Sequence, residues 1–323
     1  MPIPEEQAVL TAGEPAGRFN DADRAPLPFP WYARLKFDLL RALVGGWARL
    51  VGLRGAYLLG RASGTIEYYL MHSTRRRYLQ RLREAFGDSK PARELRRHTR
   101  DYFRRVRCDK LFYLLLDRLP REKILRRVRI PGHEHIDAAA AAGRGAYVAM
   151  SHHGAQHVGG MLMALAGYQV TGVRDRKESA LRRYIQSVFE ASFPEVHGFK
   201  FVFADAFPRQ LYRAFRNAEV VSSALDVNRP RGPRLRSEAV TLFGERREVL
   251  TGTPVIALRC GAIIVQGFVI SRPNFYYRIV FEPLQLDPVA PEEIDAAVTR
   301  IMRQYAANIE RHVHEHPDHI SRL

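Results

Sequence analysis

The stretch Ser151-His152-His153-Gly154-Ala155-Gln156-His157 places three histidines within six residues. It closes the apolar run Gly145-Ala146-Tyr147-Val148-Ala149-Met150, which reads as a short buried strand ending in a loop. A neutral imidazole at a strand end can take the proton from a hydroxyl as that hydroxyl adds to a thioester carbonyl. His152, directly after the strand, is the candidate general base. Gly154 would let a substrate approach the backbone closely, and His153 is a second candidate contact. A base of this kind works best when a carboxylate holds its other ring nitrogen and stabilises the imidazolium. The residues that follow offer His157 instead. A neutral His157 could orient His152 through one hydrogen bond, but it could not stabilise the imidazolium as a carboxylate does. Glu134 and Asp175 are candidate acids to replace it in space.

The same residues admit another chemistry. His153 and His157 stand four apart, so on a helix they could share a metal ion. No glutamate lies between them in the metalloprotease arrangement and no third ligand is evident. The expectation is therefore no resident metal and no cofactor. A lone histidine is more often structural, and the cluster at a strand end is what favours a base.

An α/β pattern from Pro131 onward must position these groups. Strands are expected at 146–150, 170–173, 199–203, 220–225, 263–270 and 276–281, separated by helical segments at 158–166, 179–191, 208–217 and 253–259. A last long helix is expected from Pro291 to about Glu315, with Glu292 and Glu293 favourable in its first turn. The fold class is α/β: a central mixed sheet covered by helices, with an N-terminal helical extension. Residues 1–26 are polar, rich in Pro and Gly, and expected to be disordered. Residues 27–130 form the helical, basic region, and 131–323 the α/β domain.

Within 27–61, Leu39, Leu40, Leu43, Val44, Trp47, Leu50 and Val51 recur at helical spacing among arginines. The segment reads as a helix on the protein's own core or as one lying in a membrane interface, with Trp31, Tyr32, Trp47 and Tyr57 at headgroup depth. From Thr74 to about Arg107 a basic helical region follows. Its Arg93, Arg97, Arg100, Arg104 and Arg107 share one helix face. The stripe is either a solvated face or one relieved by an anionic surface.

The 51 Lys and Arg against 34 Asp and Glu give a net charge of +17. Such a field favours anionic partners, but no nucleic-acid motif accompanies it and no nucleic acid is expected. Two cysteines, Cys108 and Cys260, build no disulfide framework. The N-terminus lacks the basic and apolar regions of a signal peptide, and the uncharged stretch 145–173 is too broken by His, Gln and Gly to span a bilayer.

Several blocks, in order, resemble the bacterial lipid A biosynthesis (lauroyl/myristoyl) acyltransferases and related lysophospholipid-type acyltransferases. They are Arg75-Arg76-Arg77-Tyr78-Leu79-Gln80-Arg81-Leu82-Arg83-Glu84-Ala85-Phe86, the strand 143–154 ending at His152, Val173-Arg174, and Val220–Asn228 with Asp226 at its strand end. Leu242-Phe243-Gly244, Thr251-Gly252 and 257–262 follow in the family's order. The resemblance implies a glycerolipid acyltransferase-like fold and a His-x-x-x-x-Asp/Glu motif with His152 as base, and position 157 departs from it. It also implies a substrate-positioning role for Arg174, whose forked donors suit an acceptor phosphate, and a role for Asp226 in positioning Arg174 or the acceptor. The bland alternatives are a surface ion pair for Arg174 and a turn cap for Asp226. The Arg229–Arg236 loop could reach a headgroup or carrier phosphate. The implied donor is an acyl carrier protein or coenzyme A thioester. The implied location is peripheral, on an anionic membrane surface at the cytoplasmic face of the inner membrane. After His316-Pro317-Asp318-His319 the family's aromatic-rich ending is missing, which implies altered acceptor recognition.

Overall fold

A computed structural model describes residues 31–174, 180–193, 200–203, 208–226 and 236–320. The expected disorder of 1–26, Asp175 and residues 229–235 of the basic loop lie outside the described residues.

Helix α1 (Trp31–Leu70) runs 40 residues and breaks its regular geometry at Gly52, where φ is 68°. The expected basic helical region consists of two helices, α2 (His72–Phe86) and α3 (Ala92–Leu115). Gly87 ends the first at φ 52°, and Pro91, lacking an N–H, precedes the second. Helices α1 and α3 pack at close range. A Cβ at Gly64 would fall 2.6 Å from the Arg104 Cα, so only glycine allows that approach. The packing also changes the reading of the arginine stripe. Arg104 donates to Thr65 Oγ1 at 2.8 Å and to Asp101 Oδ1 at 3.2 Å, and Arg107 pairs with Glu67 at 2.6 Å. Two of the five arginines therefore join α3 to α1 instead of forming an unpaired face.

After α4 (Arg121–Leu125), β1 (Val128–Arg129) and α5 (His133–Ala141), the α/β alternation begins with β2 (Ala146–Gly154) and α6 (Gln156–Leu165). It continues through β3 (Val170–Arg174), α7 (Ala180–Ser192), β4 (Lys200–Phe203), α8 (Arg209–Arg216) and β5 (Val220–Ala224). A hairpin of β6 (Ser237–Leu242) and β7 (Glu245–Leu250) precedes α9 (Gly252–Arg259), β8 (Ile263–Arg272), β9 (Tyr276–Gln285) and α10 (Ile294–Glu315). Seven strands form one sheet in the order β1-β9-β8-β2-β5-β3-β4, parallel except where β8 meets β9. This is the mixed sheet that the sequence pattern implies.

Strand β2 is central, so both of its faces are buried and its sequence is a continuous apolar run. Ala146, Val148 and Met150 pack into the core on one side with Phe112, Leu162 and Val269. Tyr147 and Ala149 pack on the other with Phe268, Ile301 and Tyr305 of α10. The chain after α10 folds back so that Ile320 bridges to His153 at the end of β2. Behind that end, buried Asp109 of α3 accepts from Arg105 at 2.8 Å, Ser271 at 2.7 Å and Tyr277 at 3.1 Å, joining the helical region to β8 and β9. A buried carboxylate is tolerable there because both of its oxygens are hydrogen-bonded and one of the donors is a cation.

Candidate active site

Parallel pairing of β2 with β5 sets the geometry. Ala146 faces Val220 and Met150 faces Ala224, a constant offset of 74 residues that carries past the end of β5 to bring His152 beside Asp226. Asp226 Oδ1 lies 2.8 Å from His152 Nδ1, and Oδ2 accepts the His152 backbone N–H at 2.6 Å. With both oxygens engaged by one residue, the carboxylate is fixed relative to the ring. The strand ends are locked from behind: Leu225 N–H and the Tyr305 hydroxyl donate to the Met150 carbonyl at 3.0 and 2.8 Å. The side chains of His152 and Asp226 are 23% and 14% exposed, so the pair is shielded yet reachable. A carboxylate on Nδ1 makes that nitrogen the protonated one and Nε2 the basic one.

The acid beside His152 is therefore Asp226, a residue for which sequence reasoning suggests substrate positioning or a turn cap. Glu134 lies in the first turn of α5 and lines a separate groove with Arg127 and Arg272.

His157 begins α6, where its ring meets Tyr113 edge-on at 5.2 Å. Burial pushes its pKa down to about 4, the nearby Arg182 and Arg105 adding to that and Asp109 opposing it. His153 points into the interior at 3% exposure. Its Nε2 donates to the His316 carbonyl at 3.2 Å, and its ring stacks on His319 at 5.7 Å. Burial, then the neighbouring His319 and His312, hold it well below the usual histidine range. Because His153 ends a strand and His157 starts a helix, their four-residue spacing does not give the shared helix face that a metal pair would need.

Gly154 is required for a different reason than substrate access. At φ 85°, a Cβ there would lie 2.1 Å from the Val269 carbonyl oxygen, so what approaches the backbone is β8. The same carbonyl accepts the Ala155 N–H at 3.1 Å, turning the chain from β2 into α6. Arg174 closes β3, one strand beyond β5 at the same end of the sheet; its side chain lies outside what the structure describes.

Beside the dyad, between the β6–β7 hairpin and α10, is a cavity of about 280 Å³. Ser151, His153, Asp226 and Tyr305 line its inner end, and Val240, Leu242, Val249, Ile309 and Val313 its walls. The hairpin that closes it is absent from the strands read from sequence.

A family model described as bacterial lipid A biosynthesis acyltransferase matches residues 35–320. The chain belongs to that family. No curated protein matches it significantly. The family match begins inside α1 and ends at Ile320 beside the strand that carries His152, so the helical region and the sheet both fall within it. Membership supports acyl transfer to a lipid-like acceptor as the coarse activity. In this family member, residue 157 cannot act as the motif carboxylate, and the carboxylate on His152 arrives from β5. A further group, His312, His316 and His319, gathers beside His153, with centroid separations of 5.5 to 6.2 Å between neighbouring rings. The available sequence signal for it is the four-residue spacing of His312 and His316 on a helix.

Proposed function

We propose that the protein transfers a fatty acyl group from an acyl-carrier-protein or coenzyme A thioester to a hydroxyl or amine of a lipid-like acceptor, with His152 as general base and Asp226 as its orienting acid. The observation that carries this reading is the 2.8 Å contact between His152 Nδ1 and Asp226 Oδ1. Nε2 takes the acceptor's proton as its oxygen or nitrogen bonds to the thioester carbon. Asp226 stabilises the imidazolium that results. When the tetrahedral intermediate collapses and the C–S bond breaks, the imidazolium returns the proton to the departing thiolate. The apolar walls beside the dyad suit an acyl chain. Arg174, at the same sheet end, suits an acceptor phosphate.

Purified protein given carrier-linked and coenzyme A-linked acyl chains tests this. Thioester consumption with acylated product, lost in His152→Ala, supports it; equal turnover in that variant removes His152 from the role. A second reading, lipid or carrier binding without turnover, is favoured by position 157, where the motif carboxylate is replaced by a neutral histidine. Turnover above the His152→Ala background eliminates it.

The acceptor would be reached from a membrane surface. Helix α1 exposes Trp31 at 77%, Leu43 at 64% and Leu50 at 84%, along with Leu35, Leu39 and Trp47. Its opposite side packs inward through Val44, Leu53 and Ala56. No helix among the described residues is long and apolar enough to cross a membrane. An exposed apolar helix face on a +17 chain suits an anionic lipid interface, the peripheral placement expected at the inner membrane's cytoplasmic face. Co-sedimentation with vesicles containing anionic lipid is expected, and Leu39→Glu with Leu43→Glu and Leu50→Glu should abolish it. Wild-type-like sedimentation of that variant would remove α1 from the interface.

A further inference from the structure

One residue beyond the candidate base, the last turn of α10 brings together ligands of a kind that the acyl-transfer reading does not use. His312 and Glu315 stand at i and i+3 on one face of the last turn, and His316 follows as its C-cap, its N–H bonded to the His312 carbonyl at 2.8 Å. One potential ligand atom from each lies within 4.8 Å of the others. A second observation concerns His312 itself, which is 3% exposed. Its Nε2 is 2.8 Å from Glu282 Oε1, and its Nδ1 is buried with no hydrogen-bond partner. An ionised carboxylate can only accept, so Glu282 fixes the proton on Nε2 and leaves Nδ1 as a bare lone pair in the interior. A histidine held by a carboxylate through one nitrogen while the other is unpaired has the outer-shell arrangement of a metal ligand.

We propose that His312, Glu315 and His316 form a binding site for a borderline divalent transition-metal ion such as zinc. Two imidazoles and one carboxylate match that class of ion, whereas calcium and magnesium favour all-oxygen sets. Three protein ligands leave a fourth position for water. Glu315 and His316 lie nearer the surface than His312, which gives the ion a path of entry. Arg311, 3.8 Å from Glu315 and paired with Glu282 at 2.5 Å, opposes the cation and must release Glu315 when it binds.

The consequence is mechanical. Glu282 belongs to β9, and the His316 carbonyl accepts from His153, the neighbour of His152. A bound ion would tie the end of α10 to the sheet and brace the strand that carries the base. It touches no reacting atom, so its ligands are positioning residues.

Untagged protein stripped with a chelator and titrated with Zn²⁺ against a chromophoric competitor tests the site. The expected result is one tightly bound equivalent that raises the melting temperature, with affinity reduced about 10–100-fold in Glu282→Gln. Glu315→Gln with His316→Asn, both nearer the surface than His312, should lose that equivalent while the metal-free melting temperature falls by no more than a few degrees. The stripped protein should also bind one equivalent of Co²⁺, with a tetrahedral visible spectrum that Zn²⁺ abolishes. No saturable equivalent, or wild-type affinity in the double variant, overturns the proposal.

Discussion

His152 and His157 stand five residues apart, and the fold gives them opposite surroundings. His152 leaves a strand end, partly open, with a carboxylate on Nδ1 and another hydrogen bond from its own backbone to the same acid. His157 enters the first turn of α6, where it meets an aromatic edge and burial lowers its affinity for protons. Under the proposed mechanism the first becomes charged during the reaction, while the surroundings of the second keep it neutral. The difference shows that the position of an acid in sequence and its position in space are separable. At His152 the carboxylate comes from the residues just after the neighbouring parallel strand β5, because the register puts them opposite.

The largest effect that sharpens this contrast is on the base itself. His152→Ala should lower thioester turnover by about 10²–10⁴-fold, whereas His157→Ala should change turnover only a few-fold and act mainly on stability, by about 1–3 kcal/mol. Comparable rate losses in both, measured as initial rates, would break the distinction. Next in size is His157→Glu, which restores the family motif in sequence. Since Asp226 already occupies Nδ1, no gain in turnover is expected. The melting temperature should fall, because a carboxylate against Tyr113 is poorly solvated. A large rise in rate would mean that the acid belongs at position 157.

The smallest effect is on pH dependence. The folded pKa of His157, about 4 against an ordinary 6.5, lies below its unfolded value. The unfolded chain therefore binds more protons between these limits. The stability contributed by keeping this ring neutral is complete above about pH 6.5 and is lost as pH falls toward 4. The shift corresponds to at most about 3 kcal/mol, less once solvent access to the ring is allowed for. Chelator-treated protein should show this loss in denaturant melts, and His157→Gln should flatten it. An unchanged acid limb in that variant would place His157 in solvent.

Much of the sheet was legible because its strands are buried on both faces. Runs such as 146–150 and 263–270 have no polar alternation to confuse them, and the structure extends each by a few residues. The β6–β7 hairpin was not, because Glu238, Glu245, Arg246, Arg247 and Glu248 dilute the apolar signal along its two strands. Its turn did carry a clue: Phe243 and Gly244 both take positive φ, a geometry that glycine favours. The break at Gly87 and Pro91 was likewise written in residue type. His152 was legible as the candidate base from its place after an apolar run. Its partner was not, since pairing 152 with 226 needs both the strand order and the register of β2 on β5. Nor could spacing tell that Gly154 serves β8, a contact made across 115 residues of chain.

Single-turnover thioester consumption by Asp226→Asn, compared with His157→Gln, tests the central assignment most directly. An amide keeps the shape of the aspartate but cannot stabilise the imidazolium, so a fall of about 10²–10⁴-fold is expected for Asp226→Asn, with His157→Gln within a few-fold of wild type. A near-normal rate for Asp226→Asn together with a collapse in His157→Gln would contradict the account.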